Sequence, residues 1–223
     1  MAVIVTTNLD GGRVNTPGSS TTTNSISPVA NNLILVSVEN HVGSGTPNVP
    51  TITGASMTWV AIANINIGLH RTTIFRGMSA TPGSGALTID CAGQSQNAIL
   101  WSTDQFKNID TGGANGANAI VQSATNTVNG SSTGITVTLS AFGSTNNATY
   151  GFFGTDQTPS ISAGGSFTAL NHQSGSGGES MSEWANNNQI SVNWTWGSAS
   201  IAGGAIAVEI KAAIQAGLFS GQL

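Results

Sequence analysis

Between Met57 and Phe106 short apolar runs alternate with turn residues, and the pattern predicts four strands, with Trp59 and Trp101 at the two ends of the stretch. Ile67-Gly68 and Thr81-Pro82-Gly83-Ser84-Gly85 supply the positive or fixed φ angles that reversals need, so the stretch reads as a meander in an all-β core. Upstream, Asn32–Glu39 (NLILVSVE) is apolar on both pleat faces from Leu33 to Val36, the mark of a deep central strand. Downstream, Gly134–Ser140 alternates cleanly, placing Ile135, Val137 and Leu139 inward. Ile190, Val192, Trp194 and Trp196 likewise share one face of a strand. In Gly203–Ile210, Ile206, Val208 and Ile210 lie on one face and the small Ala205 and Ala207 on the other.

Weaker patterns fill the intervals. Ser20–Ser27 reads as a hydroxyl-rich edge strand closed by Pro28, while Ala119–Val128, Tyr150–Gly154 and Phe167–Asn171 read as further strands. His41–Ala55, rich in Gly and Pro, reads as a long irregular connection crossing between two sheets. Gln173–Gly178 reads as a loop leading into Glu179–Trp184. Ala2–Thr6 suits a short strand, but Asp10-Gly11-Gly12 and Thr16–Ser20 make residues 1–19 look like an N-terminal arm. Residues 214–223 form a C-terminal tail whose Leu218, Phe219 and Leu223 have no evident place in the core. The expected organisation is one sandwich over residues 20–213 with an extended segment at each end.

Composition narrows the partners. Only 6% of the 223 residues are charged and 39% are hydrophobic, with a net charge of −4, so solubility rests on Ser, Thr, Asn and Gln. Disordered chains combine low hydrophobicity with high charge, which this chain does not. Weak self-repulsion favours close approach of copies. Five scattered cations, Arg13, Arg71, Arg76, Lys107 and Lys211, make no stripe for a phosphate backbone, so nucleic acid is not an expected partner. Arg71 and Arg76 read as solvated strand ends or as partners for a neighbouring carboxylate. No apolar run approaches the roughly 20 residues that span a bilayer, and no secretory leader pattern opens the chain. Synthesis in a cytoplasm is therefore expected, with no membrane partner. Single Cys91 reads as a small buried hydrophobe.

The motifs of nucleotide, zinc and serine-hydrolase chemistry do not occur. His41, His70 and His172 are far apart in sequence, and with Asp104 or Asp156 they would have to be assembled by the fold to act as catalysts. Asp110, Asn115 and Asn118 offer oxygens in a polar loop but lack the closing Glu of a calcium hand. Neither metal nor cofactor is expected. Asn129, Asn147 and Asn193 fall in glycosylation triplets that this composition generates by chance. Trp184, Trp194 and Trp196, near Glu183 and Asn186–Asn188, read either as core or as rings on which a sugar would stack.

The order of landmarks resembles a jelly-roll domain widespread in tailed-phage virion proteins: a Ser/Thr-rich first strand, LILVSV, a Pro/Gly crossing, TGASMTWV, IFRGMSA, GALTID, a strand ending near DQF, then TWGSA and AIAVEIKAA. The resemblance covers about residues 20–213. It implies a two-sheet antiparallel β-sandwich of jelly-roll type with N- and C-terminal arms, and a bacteriophage structural protein without enzymatic activity. A capsid decoration or cement protein is the first expectation, and a tail, fibre or carbohydrate-binding adhesion module the second. It also implies homo-oligomers, trimers among them, in a virion beside the major capsid protein or tail proteins. Assembly contacts are then expected from Ala2, Val3, Ile4 and Val5 at one end and from Leu218, Phe219 and Leu223 at the other.

Overall fold

The computed structural model describes residues 1–130, 132–197 and 201–214; Leu218, Phe219 and Leu223 lie outside them. Among the described residues, sixteen strands form four antiparallel sheets, so the all-β expectation holds. The first eight are β1 (Ile4–Gly18), β2 (Ser20–Ile26), β3 (Leu33–His41), β4 (Thr51–Gly54), β5 (Val60–Ile67), β6 (His70–Gly77), β7 (Gly85–Asp90) and β8 (Gln96–Lys107). They make a large sheet of order β1-β8-β3-β6-β5 and a small one of order β2-β7-β4. The next eight are β9 (Ile120–Gly130), β10 (Gly134–Thr138), β11 (Ala148–Thr155), β12 (Ser162–Ala163), β13 (Thr168–Gly175), β14 (Gly178–Ala185), β15 (Ser191–Thr195) and β16 (Ile201–Ile210). Their sheets run β9-β16-β11-β14-β13 and β10-β15-β12. Adding eight to each strand of the first half reproduces the second.

The sheets stack in four layers, small, large, large, small, with three apolar cores between them. Alternation along β3 shows how one strand serves two of these: Leu33 and Leu35 point into the central core, while Ile34, Val36 and Val38 point into the first outer core. In β16, Ile206, Val208 and Ile210 enter the central core, and the small Ala205 and Ala207 back the second outer one. The central core joins Leu33, Leu35, Ile74 and Phe106 of the first half to Tyr150, Phe152, Ile206 and Val208 of the second. Across it β3 faces β11, β8 faces β14, β6 faces β16, β5 faces β9 and β1 faces β13. Only β3 and β11 meet their own equivalents. The halves are therefore related by an approximate two-fold axis between these two strands, in the manner of an isologous dimer.

Three expectations change. A two-sheet sandwich over residues 20–213 becomes four sheets in two equivalent halves, because strands such as β3 and β11 are apolar on both faces and need a layer on each side. The predicted meander is broken: β5 and β6 are neighbours, but β7 crosses to the small sheet and β8 inserts between β1 and β3. The N-terminal arm is β1, paired with β8 from Ile4↔Lys107 to Gly18↔Gln96. Its glycines do not loosen the chain. A Cβ on Gly12 would stand 2.3 Å from the Trp101 ring, so Gly12 is where the strand passes an indole. The expected strand Ala2–Thr6 is the start of this longer one. Val3 is fully buried in the central core and donates its N–H to Asn146 O at 3.1 Å, which fastens the N-terminus to the second half.

All four outer strands of the large sheets carry register shifts: several along β1, one at Ala61/Ala63 in β5, one at Ala169/Asn171 in β13, and one where β9 passes Glu209/Ile210. Bulged edges are poor templates for a neighbour's strand.

Candidate functional site

The contact between the halves contains ionisable side chains that sequence spacing did not bring together. Ser102 and Asp104 on β8, Ser37 on β3 and Tyr150 on β11 face the opposite sheet and are buried. Asp104 Oδ2 accepts from Ser102 Oγ at 2.7 Å and from Tyr150 OH at 2.8 Å, and Oδ1 accepts from Asn8 Nδ2 at 2.8 Å. Ser37 Oγ lies 2.8 Å from Tyr150 OH, and Ser102 Oγ 2.9 Å from Ser182 Oγ. Burial pushes the Asp104 carboxyl up and its four side-chain partners pull it back. Burial and the Asp104 charge hold the Tyr150 phenol well above its ordinary range. The Asp104–Tyr150, Ser37–Tyr150 and Ser102–Ser182 bonds cross from one sheet to the other, so the network ties the halves.

A second cluster lies at the end of the same contact. β3 pairs with β6 so that His41 stands opposite His70, and alternation puts Glu39, His41, His70 and Thr72 on the face turned to the second half. Glu39 approaches β11 closely: a Cβ on Gly154 would stand 2.6 Å from Glu39 Cγ. Glu39 Oε1 is 3.8 Å from His70 Nδ1. Both carboxyl oxygens of Glu39, both ring nitrogens of His70, His41 Nδ1 and Asp156 Oδ1 have no hydrogen-bond partner among the described residues. Burial, then the charge of Asp156, raises the Glu39 carboxyl well above its usual range. Burial lowers the His70 imidazole to about 4, with Asp156 pulling it up and His41 pushing it down. Here His41 and His70 converge with the carboxyls of Glu39 and Asp156, as a catalytic reading would require. Glu39 and His70 are, however, 0% and 1% exposed, so no substrate reaches them in this conformation.

The other expected residues take structural positions. Glu179 Oε1 lies 2.5 Å from His172 Nε2 and accepts from Ile161 N at 2.8 Å, while Oε2 accepts from Ser160 N at 3.0 Å. Glu183 Oε2 accepts from Gly164 N at 3.0 Å, and burial pushes this carboxyl up to about 8. Trp194 is fully buried and Trp196 is 5% exposed, stacked on Phe153 at 5.2 Å between ring centroids, so neither offers a face to a sugar. Trp184 is half-buried against the central core, 6.4 Å from Phe106. Trp194 and Trp196 instead fill the gap between the second large sheet and its small sheet. Asp110 Oδ2 pairs with Lys211 Nζ at 2.9 Å and its Oδ1 accepts from Gly112 N, which uses the carboxylate within the loop. Arg71 is held by Pro47 O and Asn64 Oδ1. Cys91 is buried, its thiol pushed up to about 12 by burial and the neighbouring Asp90 charge.

An open groove of about 720 Å³ is lined by Met1, Val121, Asn147, Lys211 and Ile214 among others. Its polar floor is internally bonded: Glu209 accepts from Gln122 Nε2 and Asn147 Nδ2, both at 2.6 Å. Of the N-terminal residues expected at assembly contacts, Ile4 is exposed, Ala2 and Val5 are half-buried and Val3 is buried. The charged residue closing an otherwise apolar run, Glu39 after LILVSV, was the one sequence signal for the cluster at the seam. No protein-family model, no curated protein and no solved structure matches this chain.

Proposed function

We propose that the chain is a structural, non-enzymatic protein of a tailed-phage virion that decorates the head and stabilises its lattice. The observation that carries this reading is the strand order, found twice. In a jelly roll the first, eighth, third and sixth strands share one sheet, and the second, seventh and fourth lie in the other. Each half shares these seven placements and departs at the fifth strand, which a jelly roll pairs with the fourth and which here sits at the edge of the large sheet. Together with the landmarks from LILVSV to AIAVEIKAA, this supports jelly-roll kinship of both halves rather than of one domain. The chemistry of the interior supports a structural role as well: Asp104, Glu179 and Glu209 are engaged by protein donors that hold sheets together.

Stabilisation works by mass action. A subunit that binds the assembled shell and not its free parts lowers the free energy of the shell. A chain with 6% charged residues approaches its neighbours with little repulsion. Because the outer strands are bulged, the contacts are expected on sheet faces and loops, with homo-oligomerisation through the same surfaces. The test is a reconstruction of purified particles with and without this protein. The reading expects its density on the head and earlier rupture of depleted heads under heat or osmotic stress. Density confined to the tail, or heads indifferent to its loss, overturns it.

A further inference from the structure

We infer that Glu39 and His70 form an internal site that binds water and one exchangeable proton, and that this site makes the contact between the two halves acid-sensitive. The inference starts from the unpartnered atoms. Glu39 Oε1 and His70 Nδ1, on two side chains that are almost wholly buried, lie 3.8 Å apart, too long for a direct bond. Neither these atoms nor Glu39 Oε2 and His70 Nε2 have a partner among the described residues, which leaves them open to a bridging water. Buried polar groups without partners are costly, and water with two to four polar neighbours removes that cost. The proton count follows from the surroundings. The titratable groups that face the pair are His41, on β3 with Glu39, and Asp156, just beyond β11. Thr72 and the backbone at Gly154 and Gly204 fill the remaining wall, with Thr72 Oγ1 donating to Gly204 O at 3.2 Å. Arg71 points to the opposite face of the sheet.

In this enclosure the imidazole is neutral at neutral pH, and burial with the Asp156 charge favours the protonated form of Glu39 beside the bridging water. Acid brings a second proton from solvent onto His70, which leaves an imidazolium in the seam. Rising pH removes the proton that burial favours on Glu39, which leaves a carboxylate facing Asp156. Either charge favours separation of β3 and β6 from β11 and β16, because water reaches the pair only when these strands part.

The test uses the full chain. Its unfolding constant is measured by denaturant titration from pH 4 to 9, and the His70 ring is followed by NMR. An imidazole of ordinary value 6.5 held near 4 by the fold makes the wild-type unfolding constant rise about 80-fold between pH 6.5 and 4 through this residue alone. His70→Gln removes that part of the acid limb, and Glu39→Gln flattens the alkaline limb and leaves the acid limb in place. An acid limb unchanged in His70→Gln, or a wild-type His70 ring titrating near 6.5, overturns the inference. The NMR titration decides the matter even where a variant does not fold.

Discussion

Replacing Glu183 by Gln separates the cost of a buried carboxyl from its use. Glu183 is fully buried on β14, on the face it shares with Met181 in the second outer core, and one of its oxygens, Oε2, accepts from Gly164 N at 3.0 Å. The other oxygen, Oε1, has no partner among the described residues. The carboxyl is held up to about 8, against an ordinary value of 4.5, chiefly by burial. A group raised in the folded state contributes stability that is fully present below 4.5 and is lost as pH rises through 8. Over that window the native state keeps a proton the unfolded chain releases, at about 1.4 kcal/mol per pH unit. At pH 7 the loss is therefore about 3 kcal/mol. Gln keeps the acceptor for Gly164 and cannot ionise. Its amide brings a small penalty that does not depend on pH, so the informative quantity is the difference between variant and wild type as a function of pH. We expect Glu183→Gln to gain about 3 kcal/mol on wild type between pH 4.5 and 7, roughly 6–12 °C in Tm for a chain of this size. Denaturant titrations at pH 4.5, 6, 7 and 8 measure it. A difference constant across that range would show that the carboxyl ionises normally and would refute the reasoning.

Three further outcomes are expected. Trp194→Ala, which empties the largest fully buried side chain, should cost about 3–5 kcal/mol in denaturant titration; a cost below 1 kcal/mol would show an exposed ring and reopen the sugar-stacking reading. Gly12→Ala puts a methyl 2.3 Å from Trp101 and should cost about 1–3 kcal/mol, measured as a fall in denaturation midpoint, whereas a flexible arm at this position would tolerate it. Tyr150→Phe removes one donor from the buried Asp104 carboxylate and should cost about 1–3 kcal/mol at pH 7, with the loss shrinking as acid protonates Asp104; a loss equal at all pH values would mean that the hydroxyl matters only for packing.

What could be read from the chain was local. The alternating segments behave as expected: Ile135, Val137 and Leu139 are buried, as are Val192, Trp194 and Trp196, though Ile190 on the same face is 40% exposed because it precedes β15. LILVSV is the central strand it looked to be, buried along its whole length. The duplication was not legible, since the equivalent central strands read LILVSVENH and ATYGFFGT and share only the need to be apolar on both faces. Sheet membership was hidden for the same reason: nothing in GALTID states that β7 leaves the sheet of β6. The glycines of DGG misled, because close passage beside an indole and a loose linker call for the same residue. The seam cluster was missed because β3 and β6 bring His41 and His70 together only through their register.

The distribution of polar groups explains why the two halves form one molecule. Each outer core is lined by aliphatic and aromatic side chains from one half alone, for example Ile34, Val36, Leu87 and Ile89 in the first and Phe153, Val192 and Trp194 in the second. The central core differs. Its apolar middle is drawn from both halves, and around it lie Asp104 bonded to Tyr150 across the seam, Ser102 bonded to Ser182, and Val3 bonded to Asn146. Apolar burial is indifferent to register and would tolerate the sheets sliding past one another. A buried carboxylate that needs a phenol from the opposite sheet does not tolerate it, because a slip of one residue leaves both groups without partners. The polar seam thus fixes which face meets which and at what register, and the apolar middle supplies the attraction. Two sandwich-like halves of equivalent topology are thereby held in one register, with Glu39 and His70 at one end of the seam where its polar atoms lack partners among the described residues.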